Sequence, residues 1–408
     1  MGYRVSTPPV TFLVLALPYG LGFGFCGLWV PFALTRAGFP LSLTASIVAV
    51  GITANVFRFL YAPIIDATLT VPRWYLIGLV SCVGMTIALS TTALVREAAG
   101  TVTAMVFLCQ VSTTLVMNPI GALMATTVEE SMKGRAAGWC QAGNNGGQGL
   151  AGIAIWVSNH YSNAVAGATV ATIMGACALG LLFVAEPVQQ AAGAWMRRLQ
   201  TLGRDLLVMA RNPTSVLIMA LILTPIGVGA ATAIWPAVAA EWGASADRVA
   251  FDTGILSAAA ATAGAVIGGQ IADRLGRWWA YFGSGVALAI FSVQVVLMAR
   301  TPSTYDLGVI GYAFFTGMGT AAWCALVLVA TGRTAVATTY AALASIGNLP
   351  NAYMTWIDGL IHDRNGVTAM FIAEAMITLV CVAFGLLALK RISSSTVKSH
   401  SDVELYRA

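Results

Sequence analysis

The chain is poor in charge. Of 408 residues only 9% are Asp, Glu, Lys or Arg, too few to solvate the surface of a water-soluble protein of this size. Histidine is nearly absent: His160, His362 and His400 all fall outside the apolar runs, which excludes a relay of buried imidazoles. Cysteine is present without pattern. The seven residues (Cys26, Cys82, Cys109, Cys140, Cys177, Cys324 and Cys381) lie inside apolar runs with no CxxC spacing, so neither a disulfide frame nor a metal site is expected. HExxH and GxSxG are missing and no buried His stands with Cys or Asp; the chain is not expected to be an enzyme or to carry a cofactor.

Apolar length is what the chain has. It is 58% hydrophobic with a mean hydropathy of +0.81, and spanning about 30 Å of hydrocarbon takes roughly 20 apolar residues. Twelve runs qualify: 11–34, 43–65, 74–93, 101–127, 136–158, 164–185, 214–240, 251–272, 278–299, 306–331, 335–356 and 367–389. With both termini cytoplasmic, the inside segments hold fifteen Lys or Arg and the outside loops hold five, Arg36, Arg96, Arg248, Arg300 and Arg364. The positive-inside rule therefore sets the topology. An all-α, multi-pass protein of a bacterial inner membrane is expected, as a monomer. The formal charge of +5 reports insertion and contact with anionic lipid, with no support for nucleic-acid binding.

The chain repeats itself. LPYGLG in the first run matches TPIGVG in the seventh, and Asp66 and Asp273 end the second and eighth runs 207 positions apart. Gly143 and Asn144 of the fifth run match Gly347 and Asn348 of the eleventh. Two parallel six-helix repeats are expected, 1–185 and 214–390, with a cytoplasmic connector at 186–213 and a polar, disordered tail at 391–408. Such halves can rock about a central site. The connector carries Arg197, Arg198, Arg204 and Arg211 and reads either as an amphipathic helix on the inner leaflet or as a solvated linker.

Polar side chains at membrane depth are costly, so they pair inside the bundle or line a wet cavity. Gln141, Asn144, Asn145 and Gln148 share one helical face; Tyr340, Asn348, Asn351, Thr355 and Asp358 share another. They suggest substrate ligands in a shared cavity, or hydrogen bonds that only hold helices together. Gln110 and Thr114, with Tyr19, Phe23, Tyr312 and Trp323, form smaller aromatic and amide stripes, equally consistent with a ligand or with packing. Arg58 is the one Lys or Arg deep within a run. It needs an anion, from a substrate or from Glu129 or Glu130. Glu374 is the one carboxylate well inside a run, with Asp358 nearer an end; both are candidates for loading and releasing a proton. Asp66, Arg73, Glu129, Arg135, Asp273, Arg277 and Arg333 would ring the cytoplasmic mouth as an ionic gate.

GGQIADRLGR, residues 268–277, at the exit of the eighth run resembles the loop signature of the major facilitator superfamily. Arg58, Phe59, Leu60, Tyr61, Ala62, Pro63 and Asp66 resemble the basic, aromatic, Ala-Pro, Asp pattern of its muropeptide permease and acetyl-coenzyme A transporter branch. That resemblance implies proton-driven import of a bulky polar or amphipathic solute, such as an anhydro-muropeptide, an acyl-coenzyme A or a siderophore. Efflux of hydrophobic compounds, or a sensor or assembly factor on a carrier scaffold, are the alternatives.

Overall fold

In hydrocarbon a backbone must satisfy its own polar groups, so long apolar runs become helices. The computed structural model describes residues 6–58, 68–129, 132–185, 204, 207–331 and 337–405. The first half forms α1 (Thr11–Arg36), α2 (Leu41–Val56), α3 (Val71–Thr91), α4 (Ala99–Thr127), α5 (Lys133–Leu150, continued by Ile153–His160) and α6 (Asn163–Phe183). The second half forms α7 (Pro213–Ile222, resuming at Trp235–Val238), α8 (Ala246–Arg274), α9 (Arg277–Leu297) and α10 (Pro302–Thr331). The remaining stretch is Ala337–Ile346 followed by Leu349–Leu405, interrupted at Gly366, whose φ of 79° reverses the chain. α11 is the part before Gly366 and α12 the part after it.

Among the described residues, twelve helices therefore match the twelve runs. Among the described residues, eight stretches are long and apolar enough to cross a membrane by themselves, and the stretch Ala342–Ile392 among them contains two spans around Gly366. α2 and the first piece of α7 are shorter, and α5 carries the four amides that lower its hydropathy. The two repeats share more than sequence. Tyr75 of α3 donates to the Leu15 carbonyl at 3.0 Å, and Tyr281 of α9 donates to the Leu221 carbonyl at 3.1 Å. Donor and acceptor are each displaced by 206 positions, so one tyrosine strut is built twice.

The end of the bundle where α1 begins is proximal here, the opposite end distal. Glycines let the halves meet distally, where any side chain would intrude. A Cβ on Gly152 of α5 would lie 2.5 Å from the Ala250 carbonyl oxygen of α8, and one on Gly359 of α11 would lie 2.4 Å from Ala45 of α2. Deeper, Val48 and Ile52 pack on Ala352. Asp363, near the distal end of α11, accepts from the Leu41 and Ser42 backbone N–H groups at 3.1 Å each, capping α2 across the divide. One apolar core runs through the first half into Trp235, Val249 and Phe371; a second, around Leu217, Ile218, Leu326 and Val382, belongs to the second half alone. The distal end is thus closed.

Most of the connector, 186–203 and 205–206, lies outside the described residues. The tail corrects an expectation: helix continues to Leu405 where disorder was expected. No Gly or Pro stands between Arg391 and Leu405 to stop it.

Candidate functional site

α7 loses its helix in the TPIGVG segment. Gly227 and Gly229 adopt φ of 70° and 67°, a conformation costly for residues with a Cβ. Backbone groups freed by the break need partners, and side chains of α10 and α11 supply them. Tyr312 of α10 accepts from the Ala231 N–H at 3.1 Å, Thr355 donates to the Ala230 carbonyl at 3.3 Å, and Tyr353 donates to the Leu223 carbonyl at 2.9 Å. Tyr312 also donates to Glu374 of α12 at 2.5 Å.

Glu374 is joined there by Asp358 of α11, close enough for the two charges to interact. Asp358 is fully buried and Glu374 is 7% exposed. Both Asp358 carboxyl oxygens and the second Glu374 oxygen lack a hydrogen-bond partner. Two ionised carboxylates in such a place would repel each other, and the Tyr312 hydroxyl is the side-chain donor that meets one of them. Tyr312 stands 10 residues into α10, about 15 Å along its axis and near mid-membrane.

The first half answers with an uncharged network. Tyr19 of α1 donates to Asn55 at 3.3 Å, Asn55 donates to Gln110 at 3.5 Å, and Thr113 donates to the same Gln110 oxygen at 3.3 Å. Asn55 is 1% exposed and Gln110 is 2% exposed, so this network ties α1, α2 and α4 together. Arg58, one turn beyond Asn55 and partly exposed, is near enough for its charge to act on Tyr19. Thr114 is buried in α4 and donates to the Val111 carbonyl at 2.6 Å.

A second set is partly open. Gly149 and Gly152 of α5 press on α8, and Gln148, Asn145 and Gln141 precede Gly152 by one, two and three turns on the same stripe. The amide face is thereby aimed at the other half. Gln141 donates to Asn145 at 3.1 Å and Gln148 donates to Asn144 at 2.9 Å. Phe23 stacks on Tyr19 with ring centroids 6.3 Å apart, and Trp323 of α10 lies against Gly347. Asn348 donates to the Ala344 carbonyl, and Asn351 accepts from Thr355 at 3.4 Å. The Tyr340 side chain lies outside the described residues.

The gate ring is less complete. Asp66 and Arg333 lie outside the described residues, as does the Arg135 side chain; so do residues 59–66 of the first-half motif. Arg73, Glu129, Asp273 and Arg277 are exposed. Ion pairs among the described residues gather instead at the distal end. Glu241 meets Arg300 at 3.1 Å and His362 at 2.6 Å, and Arg248 meets Asp306 at 2.8 Å. Burial by itself would lower the His362 value, but the hydrogen bonds and charges of Glu241 and Asp363 outweigh it, and the net shift is upward from 6.5. Sequence reasoning passed over Asn55 and this distal network. Asn55 sits one turn before Arg58, a spacing visible in the chain.

No family model matches the chain, and no curated protein matches it by sequence. Solved structures do resemble it. A nucleoside transporter, NupG, superposes with a TM-score of 0.72 at 13% identity, covering 93% of this chain and 98% of that one. The chain has the major facilitator fold. A bacterial homolog of the human lysosomal transporter Spinster, inward-facing and unoccupied, gives 0.70 at 14% identity over 94% of this chain and 97% of its own. A D-xylose–proton symporter gives 0.68 at 13% over 92% and 96%. At such identities the likeness is one of fold.

Proposed function

We propose that the chain is a secondary active carrier that couples proton movement to import of a bulky polar or amphipathic solute bearing an anionic group. The buried Asp358 and Glu374 carboxyls at the broken α7 carry this reading: partnerless oxygens at mid-membrane suit a group that is loaded and unloaded. Arg58 and the amide stripe of α5 would hold the solute between the halves, with Trp323, Asn348 and Asn351 opposite. Tyr19, Asn55 and Gln110 would hold Arg58 in place. In this reading the distal end is the outer face, consistent with the basic-residue count, and the conformation is closed to the outside. Anhydro-muropeptides, acyl-coenzyme A and siderophores are the solutes to try first.

Thermal shift against such a panel, with wild type and Arg58→Ala in parallel, tests the binding half of the proposal. A true substrate raises the melting temperature of wild type and has little effect on Arg58→Ala. A ligand that stabilises both equally removes Arg58 from the site.

A further inference from the structure

The arginines of the distal end are answered differently in the two halves. In the second half Arg248 meets Asp306 and Arg300 meets Glu241, and the exposed Arg364 follows Asp363 in the chain. In the first half, among the described residues, Arg36 and Arg96 hydrogen bond only to neutral oxygens. Arg36 donates to the Asn159 side chain of α5 at 2.7 Å, and Arg96 donates to the Gly38 carbonyl at 2.6 Å. Glu97 follows Arg96, and Asp247 of α8 reaches His160, the residue after Asn159, at 3.6 Å, but neither acid forms an ion pair with these arginines. Two permanent positive charges therefore stand there without a carboxylate to balance them.

Arg36 lines a cavity of about 400 Å³, a volume within the range of small-ligand sites. The end of α1, the loop between α3 and α4, the end of α5 and the start of α6 enclose it. Its apolar side is the buried Phe32 ring, 5.7 Å from the Arg36 guanidinium, together with Leu94. Ala37 lines it too, and Gly38, next in the chain, turns with a φ of 82° to offer its carbonyl to Arg96. The second charge is thereby tied to the cavity wall. The polar side has protons to give. Arg36 commits one N–H to Asn159 and keeps the rest of its fork. Ser162 accepts from the Val165 N–H at 3.2 Å and keeps its own O–H, and the Asn163 amide makes no side-chain hydrogen bond among the described residues. Ser158 differs, since its proton goes to the Ile155 carbonyl at 3.0 Å. No carboxylate lines the cavity.

We propose that this cavity binds a phosphate group carried on an apolar body, with the phosphate oxygens on Arg36, Ser162 and Asn163 and the apolar part against Phe32 and Leu94. Arg96 adds its charge from behind Ala37. A phosphate has oxygens enough for the arginine fork, the hydroxyl and the amide together, more than a carboxylate offers. Such a group comes either from a phospholipid of the leaflet at the distal end or from a soluble phosphate ester, and the chemistry of recognition is the same. The site is separate from the one at Arg58 and stands whether or not the carrier is proton-coupled.

Hexyl phosphate is the soluble probe and phosphatidylglycerol the lipid one, both on the full chain. Titrated against protein in phosphatidylcholine nanodiscs, hexyl phosphate should raise the melting temperature of wild type, and neutral hexanol should not. Arg36→Gln should weaken the apparent affinity for hexyl phosphate roughly tenfold or more. Ala37→Phe, which fills the cavity and keeps both arginines, should weaken it as well, so the result does not depend on one variant folding. For the lipid source, wild type released from discs of mixed phosphatidylglycerol and phosphatidylcholine should retain phosphatidylglycerol in native mass spectrometry, and Arg36→Gln should lose that preference. Retention supports the site with a lipid head in it; hexyl phosphate binding without lipid preference supports it with a soluble ester. If both variants bind hexyl phosphate and phosphatidylglycerol as wild type does, the site is overturned. If Arg58→Ala abolishes the response and Arg36→Gln does not, the phosphate sits between the halves and this cavity is not its site.

Discussion

α1 and α7 begin from nearly the same words, LPYGLG and TPIGVG, and end in different structures. In α1 the segment stays helical, and its glycines serve close packing: a Cβ on Gly20 would lie 2.0 Å from the Asn144 carbonyl oxygen of α5. In α7 the matching Gly227 and Gly229 turn left-handed and the helix parts. Spacing accounts for part of the difference. From Leu15 to Pro18 is three positions, but from Leu221 to Pro225 is four; from Pro18 to Trp29 is eleven, but from Pro225 to Trp235 is ten. The longer second interval in α1 is absorbed as the π-helical turn Phe25–Trp29. In α7 the surplus precedes the proline, which already lacks an N–H, and the chain unwinds there. Two uses of glycine thus separate a rigid packing helix from one that exposes backbone to a carboxyl pair.

The largest effect expected from breaking this comparison is at Gly20. Gly20→Ala drives a methyl into immovable backbone and should cost stability near the top of about 1–3 kcal/mol, read as a fall in melting temperature. Gly229→Ala should cost about 1–2 kcal/mol for its left-handed backbone, plus the clash with the Thr316 side chain 2.3 Å from the new Cβ. Thr316→Ala should recover the clash portion in the double variant. No side-chain truncation in α5 should rescue Gly20→Ala, and such a rescue would refute the packing role.

Next comes the contrast between the two polar networks. Tyr312→Phe leaves Glu374 and the Ala231 N–H short of a partner in a buried site, at about 1–3 kcal/mol. Asn55→Ala breaks two longer bonds, of 3.3 and 3.5 Å, and should cost about 1 kcal/mol. Chemical denaturation in the same detergent would compare them; a larger loss for Asn55→Ala would reverse the assignment of the second half as the more tightly determined site.

The twelve spans and the duplication were legible because hydropathy and repeated Gly, Pro and Trp positions depend only on local residue type. The break in α7 was not, since TPIGVG differs so little from its helical twin; only the spacing around the proline separates them. Asp358 and Glu374 were legible as costly buried acids, but their meeting was not, because α11 and α12 converge through the reversal at Gly366. Gln110 and Thr114 look like ligands in sequence and are buried between helices, where amides and hydroxyls satisfy neighbouring backbone and side chains.

The smallest expected effect is at the distal latch. The His362 value is raised in the folded protein, so its pairing with Glu241 stabilises fully below about 6.5 and is lost as pH rises through the raised value. Melting temperature should therefore be higher near pH 6 than near pH 8 by an amount that shrinks in His362→Gln, a difference of about 1 kcal/mol or less. A pH dependence identical in that variant would assign the titration elsewhere.

The central claim is that the carboxyl pair at the broken helix couples a proton to the solute. Uptake of a thermal-shift ligand into proteoliposomes, under an imposed acid-outside gradient, tests it most directly. Wild type should accumulate the ligand above equilibrium, and Glu374→Gln should equilibrate it without accumulation. Accumulation by Glu374→Gln equal to that of wild type would contradict the account.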